Sequence, residues 1–449
     1  MIVLLSLSLM SKSMLVSIPF LLIILDLWPL KREDRHRFKD KYLLCIPIIP
    51  SCVNTFFAQL EGQSIKSLTD ISLADRIMNA FISIVTYMHK TFWPDKLSVL
   101  YPYPEQLNVW IAIFCLILLL FLLIIGLYFF SKRPFFLTGY MWFIIALMPV
   151  IGIIQIGNQS MADRYTYVPH IGLFWAIIWT VSSFSKKTLY NQFLAAAFCL
   201  AVIGLGYKTY YQTQLWKNEK TLFQQAINNT KHNYIAHNNL GTFLTDPKEA
   251  LKQYERCIKI NPEFIIGHVN KGNSLLSMGK IKEAEQLYKS LLQDEPYHTY
   301  VNWALAELYY QQHQLKEALQ CYYDALKKAD DCGPIYKRIA QIFRESGKLI
   351  ESQFFYNKAL DLNPLSPAIH YEYGCLLISL KQDTKAMSHL KRAIELRPDD
   401  AMAHNRLSEL YEKNNQMDKA WFHIRIARHL APENIEISKA FQKLHKNFR

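Results

Sequence analysis

The chain has 449 residues, of which 51% are hydrophobic and 19% are charged, and its formal net charge at pH 7 is +13. The first 210 residues carry 17 Lys and Arg with 10 Asp and Glu, whereas the remaining 239 carry 33 and 27, so the two halves are suited to different surroundings. Much of the basic excess of the first half lies in short loops between apolar segments, so the net charge does not indicate a nucleic-acid partner. The spacings of Cys, His and Gly predict neither a metal site nor soluble nucleotide chemistry.

Six apolar segments in the first half are predicted to cross a membrane as helices. The purest is 107–130, which is nearly all apolar. At ~1.5 Å per residue, a helix of that length is enough to cross a hydrocarbon layer of ~30 Å. The predicted spans are 14–30, 42–57, 107–130, 134–156, 167–183 and 188–207. Asp26 is the one acid within a span, near its end, which favours a role in helix–helix hydrogen bonding.

Basic residues in alternate loops predict how these spans are oriented, because Lys and Arg are retained on the cytoplasmic side. The cytoplasmic set is Lys31, Arg32, Arg35, Arg37, Lys39, Lys41, Lys132, Arg133, Lys186 and Lys187. The loops 58–106 and 157–166 then face outward, as does everything after the last span. We therefore expect an integral protein of the bacterial inner membrane with its second half in the periplasm; in a eukaryote the same side would be a lumen.

The start of the chain does not form a span of its own. Residues 1–10 are apolar but too short to cross, and no basic residue precedes them as a signal peptide requires. We read them as the end of an earlier span, so that further helices are expected before Met1 and Lys12 lies at the outer surface. Lys12 could hold a lipid phosphate there as a point charge, or its ammonium could simply extend to water.

The outer loop 58–106 is too long for a simple connection. Ile77, Phe81, Ile84, Val85 and Met88 recur at helical spacing, which predicts an amphipathic helix lying on the outer leaflet. Aromatic-proline sequences at 93–94 and 101–104 follow it and are typical of a membrane interface.

The short outer loop 157–166 contains Asp163 and Arg164 beside Tyr165. A guanidinium there could bind a lipid phosphate through paired donors. Alternatively, Arg164 pairs with Asp163 or with helix-end carbonyls, and Tyr165 and Tyr167 are ordinary interface anchors.

The second half is built from a repeating pattern. Proline recurs at 262, 296, 364, 398 and 432, with Asp330 in the remaining place, and small and bulky residues recur in the same register at Ala250 and Tyr254 and their successors. A small residue lets the second helix pack closely on the first, and proline ends the unit. This pattern, with its period of about 34 residues, resembles the tetratricopeptide repeat. After a connecting helix at 211–233, we predict repeats at 234–264, 265–298, 299–332, 333–366, 367–400 and 401–434, then a capping helix at 435–449.

Stacked repeats form a superhelix whose first helices line a peptide-binding groove. The sixth position of each repeat holds Asn239, Asn270, Ala304, Arg338, Glu372 and Arg406, and Trp303 and Tyr371 each precede one of them. The asparagines could bind a peptide backbone, which predicts a groove that becomes charge-selective in later repeats. Equally, Arg338, Glu372 and Arg406 could pair with one another across adjacent repeats.

Four stretches of the first half resemble one known family. They are MSKSMLVSIP (10–19) with LDLWPL (25–30); DRIMNA (75–80) through TFWP (91–94) to YPYP (101–104); Arg133-Pro134; and MADRYTYVPHIG (161–172). Together with a repeat array after the last span, they resemble the transmembrane-and-tetratricopeptide-repeat proteins, including bacterial relatives, which are related to protein O-mannosyltransferases of the C-type glycosyltransferase fold.

The resemblance implies an all-α fold, a polytopic transmembrane helix bundle followed by a repeat solenoid. It also implies sugar transfer from a polyprenyl-phosphate donor to protein hydroxyls on the exoplasmic side, with Arg76, Lys90 and Lys96 as phosphate neighbours. No further cofactor is implied, and the expected partners are membrane lipids and a polypeptide. The acidic catalytic motif of such enzymes lies in their first outer loop, which would precede Met1, so no catalytic residue is identified here. A non-catalytic membrane scaffold and an inactive truncated product remain the alternatives.

Overall fold

The computed structural model describes residues 2–11, 13–31, 39–61, 67, 70–104, 106–184, 188–329 and 332–448. Within these ranges the fold is all-α apart from one short pair of strands. The chain divides into two compact units, Met1–Glu263 and Phe264–Arg449. Lys12, Arg32, Arg35, Arg37, Lys186, Lys187 and Asp330, which the sequence analysis used, lie outside the described residues.

The described part of the first unit begins with ten helices. They are α1 (Ile2–Ser11), α2 (Ile18–Leu27), α3 (Lys39–Cys45), α4 (Ile48–Glu61), α5 (Leu73–Phe92), α6 (Val109–Phe129), α7 (Pro134–Leu147), α8 (Tyr167–Phe184), α9 (Thr188–Leu215) and α10 (Glu219–Asn229). Short 3-10 turns occupy Ser13–Ser17, Met148–Val150 and Asp163–Thr166. Strand β1 (Tyr101–Pro102) pairs antiparallel with β2 (Gln159–Met161).

Three helical stretches of the described chain are long and apolar enough to cross a membrane. They are Leu43–Leu60, Val109–Phe129 and Gln192–Leu215, and two shorter apolar helices cover Leu15–Leu27 and Pro134–Val150. The predicted span 134–156 is not one continuous helix: α7 ends at Leu147, a 3-10 turn covers Met148–Val150, and Gly152 has a positive φ of 91°. The six spans therefore stay a prediction, of which three have helices of spanning length.

The core of the first unit forms where α5 packs against α6 and α7. Ala80, Ile84 and Tyr87 of α5 are buried against Phe143 and Leu147 of α7. The apolar face of α5 is therefore largely covered by protein, although Ile77 on that face is 40% exposed, and the place of the helix on the outer leaflet stays a prediction. The helix itself was correctly expected, and the Ser72 side chain caps it by accepting from Asp75 N at 3.1 Å.

Two glycines let α7 and α8 approach closely. A Cβ on Gly139 would lie 2.3 Å from the carbonyl oxygen of Gly172, and one on Gly172 would lie 2.5 Å from the Cβ of Trp142. Elsewhere in the unit, the buried Lys41 ammonium of α3 donates to the Asp26 carboxylate of α2. Asp26 thus joins two helices as expected, but it does so through an ion pair with a residue that the orientation argument had assigned to a cytoplasmic loop.

The rest of the described chain contains thirteen further helices, arranged as six pairs and a last helix. The pairs are α11 (Tyr234–Thr242) with α12 (Pro247–Ile260), α13 (Ile265–Ser277) with α14 (Ile281–Asp294), α15 (Thr299–Gln311) with α16 (Leu315–Leu326), α17 (Gly333–Glu345) with α18 (Leu349–Leu362), α19 (Pro367–Ser379) with α20 (Asp383–Leu396) and α21 (Ala401–Lys413) with α22 (Met417–Leu430). The last helix is α23 (Ile435–Phe448).

The pair α11–α12 belongs to the first compact unit, although its sequence begins the repeat pattern. Side chains just before it bind the loop after α5. Asn229 Nδ2 donates to Leu97 O at 2.8 Å, and Asn233 Nδ2 donates to Leu100 O at 3.2 Å. These bonds attach the start of the repeats to the apolar half of the chain.

The periodic residues are the core of the pairs. Tyr288, Tyr322 and Tyr356 are completely buried, as are the small residues Ala284 and Ala318 four positions before the first two. A Cβ on Gly272 would lie 2.3 Å from the Tyr288 ring, which explains a small residue on the first helix.

One recurring feature of the repeats was not foreseen from the sequence. The turns inside five pairs each contain a residue in the left-handed conformation, at Gly279, His313, Gly347, Lys381 and Asn415. Such a residue ends the first helix of a pair and turns the chain toward the second. Only two of the five are glycines, so the residue type did not mark the position.

Candidate functional site

The outer-loop residues come together beside the β1–β2 pair. The Tyr87 hydroxyl of α5 accepts from Ala162 N at 2.9 Å and donates to Ala162 O at 3.2 Å. This clamp holds the backbone at the start of the 3-10 turn Asp163–Thr166. The two predicted donor-binding regions, 75–104 and 161–165, are therefore neighbours, although they are far apart in the sequence.

Tyr101 lies at the centre of a cluster of polar groups. Its hydroxyl donates to Asp163 Oδ2 at 2.7 Å and accepts from Lys90 Nζ at 2.9 Å and from Ser98 N at 2.8 Å. Lys90 also donates to the carbonyls of Asp95 and Lys96, at 3.1 and 3.2 Å. Of the predicted phosphate neighbours, Lys90 is thus engaged with the protein, and Lys96 contributes its backbone.

Burial shifts the acid–base properties of this cluster. It raises the pKa of Asp163, and the hydrogen bond from Tyr101 and the charge of Lys90 oppose that rise. Burial lowers the pKa of Lys90, against the opposing charges of Asp163 and Asp95. Burial also raises the pKa of Tyr101, and the neighbouring carboxylate adds to the effect, so the phenol stays neutral and keeps its proton for Asp163.

Arg164 lies next to this cluster but takes no part in it. Its guanidinium carbon is 5.1 Å from the centre of the Tyr165 ring, and the residue is exposed. The Tyr165 hydroxyl in turn accepts from Gln159 Nε2 at 2.9 Å, which fixes the ring. The alternative of an Asp163–Arg164 pair is not what the structure shows, because Asp163 binds Tyr101. Within the described ranges, the guanidinium has no hydrogen-bond acceptor.

Arg76 is in a different environment. Only 5% of the residue is exposed, and its guanidinium donates to the backbone carbonyls of Ile71, Ser67 and Ile153, at 3.1, 2.8 and 3.4 Å. These bonds hold the loops on either side of α5. Arg76 therefore has a structural role in this loop region. Lys12, the other predicted donor-binding residue, lies outside the described residues.

A cavity of about 980 Å³ opens on the other side of Tyr101 within the first unit. It is lined by one face of α5, the YPYP sequence, β2 and the segments 229–234 and 260–263. The sequence analysis did not foresee it, because its walls come from five separate segments of the chain.

In the second unit, the predicted groove residue Arg338 is bound to the preceding repeat. Arg338 Nε donates to Glu307 Oε1 at 2.7 Å, and the same oxygen accepts from Tyr322 at 2.8 Å and from Trp303 Nε1 at 3.2 Å. Arg338 also donates to Gln341 Oε1 at 3.0 Å. Glu307 was missed by the sequence analysis, yet its distance from Arg338 along the chain is close to one repeat period, which could have pointed to it.

Glu372 and Arg406 repeat this arrangement with other partners. The Gln341 side chain, which again lies one repeat earlier, donates to Glu372, which also accepts from the Tyr356 hydroxyl at 3.1 Å. Arg406 binds Glu409 and Glu436, both at 2.9 Å. Arg338 and Glu372 therefore bind the preceding repeat, Arg406 binds its own helix and α23, and none of the three pairs with another.

The remaining groove candidates are partly exposed. Asn239 accepts from Asn238 Nδ2 at 3.2 Å, and Asn270 also has polar contacts. Tyr371 is half-buried, and burial raises its pKa to about 12, so its hydroxyl is neutral at physiological pH.

Comparison with known proteins supports both the repeats and the family resemblance. Tetratricopeptide-repeat family models match residues 275–342, 334–364 and 367–400. The human protein O-mannosyl-transferase TMTC3 is 27% identical over 262 residues, which cover 54% of this chain and 29% of the human protein. The Caenorhabditis elegans protein O-mannosyl-transferase F38B6.6 is 30% identical over 153 residues, or 33% of this chain and 21% of that protein. The chain thus spans less than a third of the length of these curated relatives.

Among solved structures, pilF of Pseudomonas aeruginosa is 16% identical, with a TM-score of 0.42, and the match covers 48% of this chain and 97% of that one.

Proposed function

Because this chain is related to the repeat-bearing protein O-mannosyl-transferases, we propose that it takes part in sugar transfer from a polyprenyl-phosphate donor to protein acceptors. In this proposal, the apolar half binds the lipid-linked donor at the outer face of a bacterial inner membrane. The repeats then lie in the periplasm and present the polypeptide. No residue of this chain is assigned to bond making.

The uncommitted guanidinium of Arg164 is the observation that carries the donor site. An exposed arginine on a short turn can direct two N–H groups at a phosphate, and stacking on Tyr165 restricts its orientation. Its neighbour Asp163 is bound by Tyr101, so the carboxylate does not occupy the arginine. The same turn is held by Tyr87, so the phosphate ligand would sit on a rigid support.

The apolar helices support a donor site at a membrane surface. Gln192–Leu215 is apolar from Phe193 to Leu205, and its most apolar stretch is not buried inside the protein at all. A helix exposed in this way needs an apolar environment. Trp93 is 61% exposed, and the Lys208 ammonium lies 4.9 Å from the centre of its ring, a pairing typical of the interface between lipid and water.

The first-helix face of the array supports the acceptor role. Its charged side chains are held by neighbours, as Arg338 is by Glu307, so they offer a fixed pattern of polar groups. A preorganised surface loses little side-chain entropy when a polypeptide binds.

Donor binding tests the proposal. The full chain in lipid nanodiscs would be titrated with a polyprenyl-phosphate mannose, comparing the natural protein with Arg164→Ala, Arg164→Lys and the control Arg425→Ala. Arg425 is an exposed arginine in the array. Loss of charge-assisted hydrogen bonds worth about 1.5–3 kcal/mol should raise the Kd roughly 10- to 100-fold in Arg164→Ala.

Arg164→Lys should recover only part of this affinity, because an ammonium lacks the paired donors. Unchanged binding in Arg164→Ala would remove Arg164 from the site. If the natural chain binds polypeptide but no lipid-linked sugar, the scaffold function replaces the proposed one.

A further inference from the structure

The first helices of the pairs in the second unit carry one positive charge that the protein itself does not balance. Helices α13, α15, α17, α19 and α21 contain five glutamates and six lysines or arginines. Each glutamate has a polar partner; they are Glu307, Glu345, Glu372, Glu409 and Glu412. Five of the cations also have contacts within the protein; they are Lys271, Lys337, Arg338, Arg406 and Lys413. The sixth is Arg344 of α17, whose guanidinium has no hydrogen-bond acceptor within the described chain.

Arg344 lies close to the first helices of both neighbouring pairs. Burial raises the pKa of Tyr310 in α15 and of Cys375 in α19, and the charge of Arg344 opposes both rises. Such effects require the guanidinium to be near the two groups. The Tyr310 hydroxyl also donates to Glu345, the residue that follows Arg344. The guanidinium therefore belongs to the first-helix face, the surface that repeat arrays use for extended partners.

The burial of Arg344 makes its lack of an acceptor significant. An exposed arginine such as Arg425 of α22 remains hydrated, whereas Arg344 is only partly exposed. A charge that is partly withdrawn from water gains more from an acceptor than a fully hydrated one does. The remaining exposure of Arg344 leaves room for a ligand to supply that acceptor.

The surroundings of Arg344 favour a ligand with a single carboxylate. Glu345 is adjacent in the chain, and Glu372 is held nearby by the Tyr356 hydroxyl, which donates to it at 3.1 Å. These two carboxylates would repel a phosphate or a run of acidic residues. One carboxylate, in contrast, matches both the paired donors of a guanidinium and the excess of one positive charge on these helices.

We infer that the first-helix face formed by α15, α17 and α19 recognises an extended polypeptide segment with one aspartate or glutamate, whose carboxylate is bound by Arg344. The inference rests on the proposed function only in taking a polypeptide as the partner of the array. It places the charge selectivity at Arg344, because Arg338, Glu372 and Arg406 are bound within the protein.

Selection from a random-peptide library on the full chain in lipid nanodiscs tests this selectivity without a known acceptor. The selected peptides should share one acidic residue at an aligned position. Selection on Arg344→Gln should lose that residue, and selection on Arg344→Glu should replace it with lysine or arginine. The control Arg425→Gln removes an exposed arginine of a second helix and should select the same peptides as the natural chain.

A double-mutant cycle then measures the contact itself by fluorescence anisotropy. The peptide is amidated at its C-terminus, and its acidic residue is replaced by the corresponding amide. Either this change or Arg344→Gln should raise the Kd about five- to tenfold, a modest effect because the site is partly exposed. Both changes together should weaken binding no more than one alone, since they remove the same contact.

Thermal melts separate binding from a structural role. Because the guanidinium has no acceptor in the described chain, Arg344→Gln should leave the melting temperature unchanged. A lower melting temperature together with additive losses in the cycle would make Arg344 a structural residue and overturn the inference.

The remaining outcomes distinguish this inference from the proposed function. Selected peptides without a shared acidic residue, or peptides that lose binding when their C-terminus is amidated, would refute the inference alone. If no peptide is selected, the inference fails together with the acceptor role of the array. If acidic peptides bind through Arg344 but the chain binds no lipid-linked sugar, the inference stands and sugar transfer fails.

Discussion

Glu307 should be a key stabilising residue of the array, although nothing in its local sequence marks it. One carboxylate oxygen accepts from Arg338, Tyr322 and Trp303, at 2.7, 2.8 and 3.2 Å. The bonds join the pair α15–α16 to the first helix of the next pair, α17. Glu307→Ala removes the acceptor from all three donors at once.

The expected loss comes mainly from Tyr322. That residue is completely buried, so its hydroxyl would be left without a partner, at about 1–3 kcal/mol. The Arg338 side chain is 33% exposed and can turn to water, so its ion pair adds well under about 1 kcal/mol after solvent screening. We therefore expect Glu307→Ala to destabilise the array locally by about 2 kcal/mol.

Native-state hydrogen exchange measures this quantity within the full chain, because it reports the local stability of each helix separately. Amides of α15 and α16 should exchange about 30-fold faster in Glu307→Ala, since about 1.4 kcal/mol corresponds to a factor of ten. The control is Glu317→Ala in α16, which is exposed and has no hydrogen bond in the described chain, and which should change exchange by less than about 1 kcal/mol.

The double variant Glu307→Ala with Tyr322→Phe makes the test specific. Because it removes the stranded hydroxyl, it should be about 1 kcal/mol more stable than Glu307→Ala alone. Equal exchange in Glu307→Ala and the Glu317 control would refute the reasoning, as would a double variant that is no more stable than the single one.

Two other predictions follow from buried ionisable groups. In the pair His404–His423, whose Nδ1 atoms are 2.9 Å apart, burial above all lowers the pKa of His423 to about 4, with His404 and Lys391 adding to it. Below pH 6.5 the unfolded chain binds a proton that the folded chain does not, so the stability that is present above pH 6.5 should be lost as the pH falls toward 4. Thermal melts at about pH 7.5 and pH 5 should show a smaller loss of stability in His423→Phe than in the natural protein. An equal loss in both would contradict this. In the first unit, Lys41→Met should lower the stability by about 3–5 kcal/mol, because it removes the ammonium that pairs with the buried Asp26 carboxylate. The double variant Asp26→Asn with Lys41→Met should recover most of this stability in detergent melts. If it does not, the ion pair is not the cause of the loss.

The repeats and the apolar helices could be predicted because their signals are local. A helix pair repeats its core residues at a constant spacing, and burial of Tyr288, Tyr322 and Tyr356 confirms the periodic positions as core. An apolar run such as 107–130 likewise shows its helix, Val109–Phe129, without any knowledge of its neighbours. The partners of these helices could not be inferred in the same way, and the packing of α5 on α7 is known only from the structure.

The candidate sites were predictable only as residue types. Arg164, Arg76 and Lys90 have similar chemistry in the sequence, yet the structure leaves Arg164 exposed, binds Arg76 to three carbonyls and ties Lys90 to Tyr101. What separates them is the location of acceptors, which depends on packing between segments far apart in the chain.

The sequence by itself therefore determined the two kinds of surroundings, the helical period and the residues that form each repeat core, since these depend on spacing within one or two helices. Tertiary structure alone decided that Tyr87 holds the backbone of Ala162 and that Ser83 and Tyr103 line a cavity together with Glu263. The physical reason is range: side-chain spacing along a helix is set by about 3.6 residues per turn, whereas a hydrogen bond extends about 3 Å, and only the packed chain brings distant groups that close.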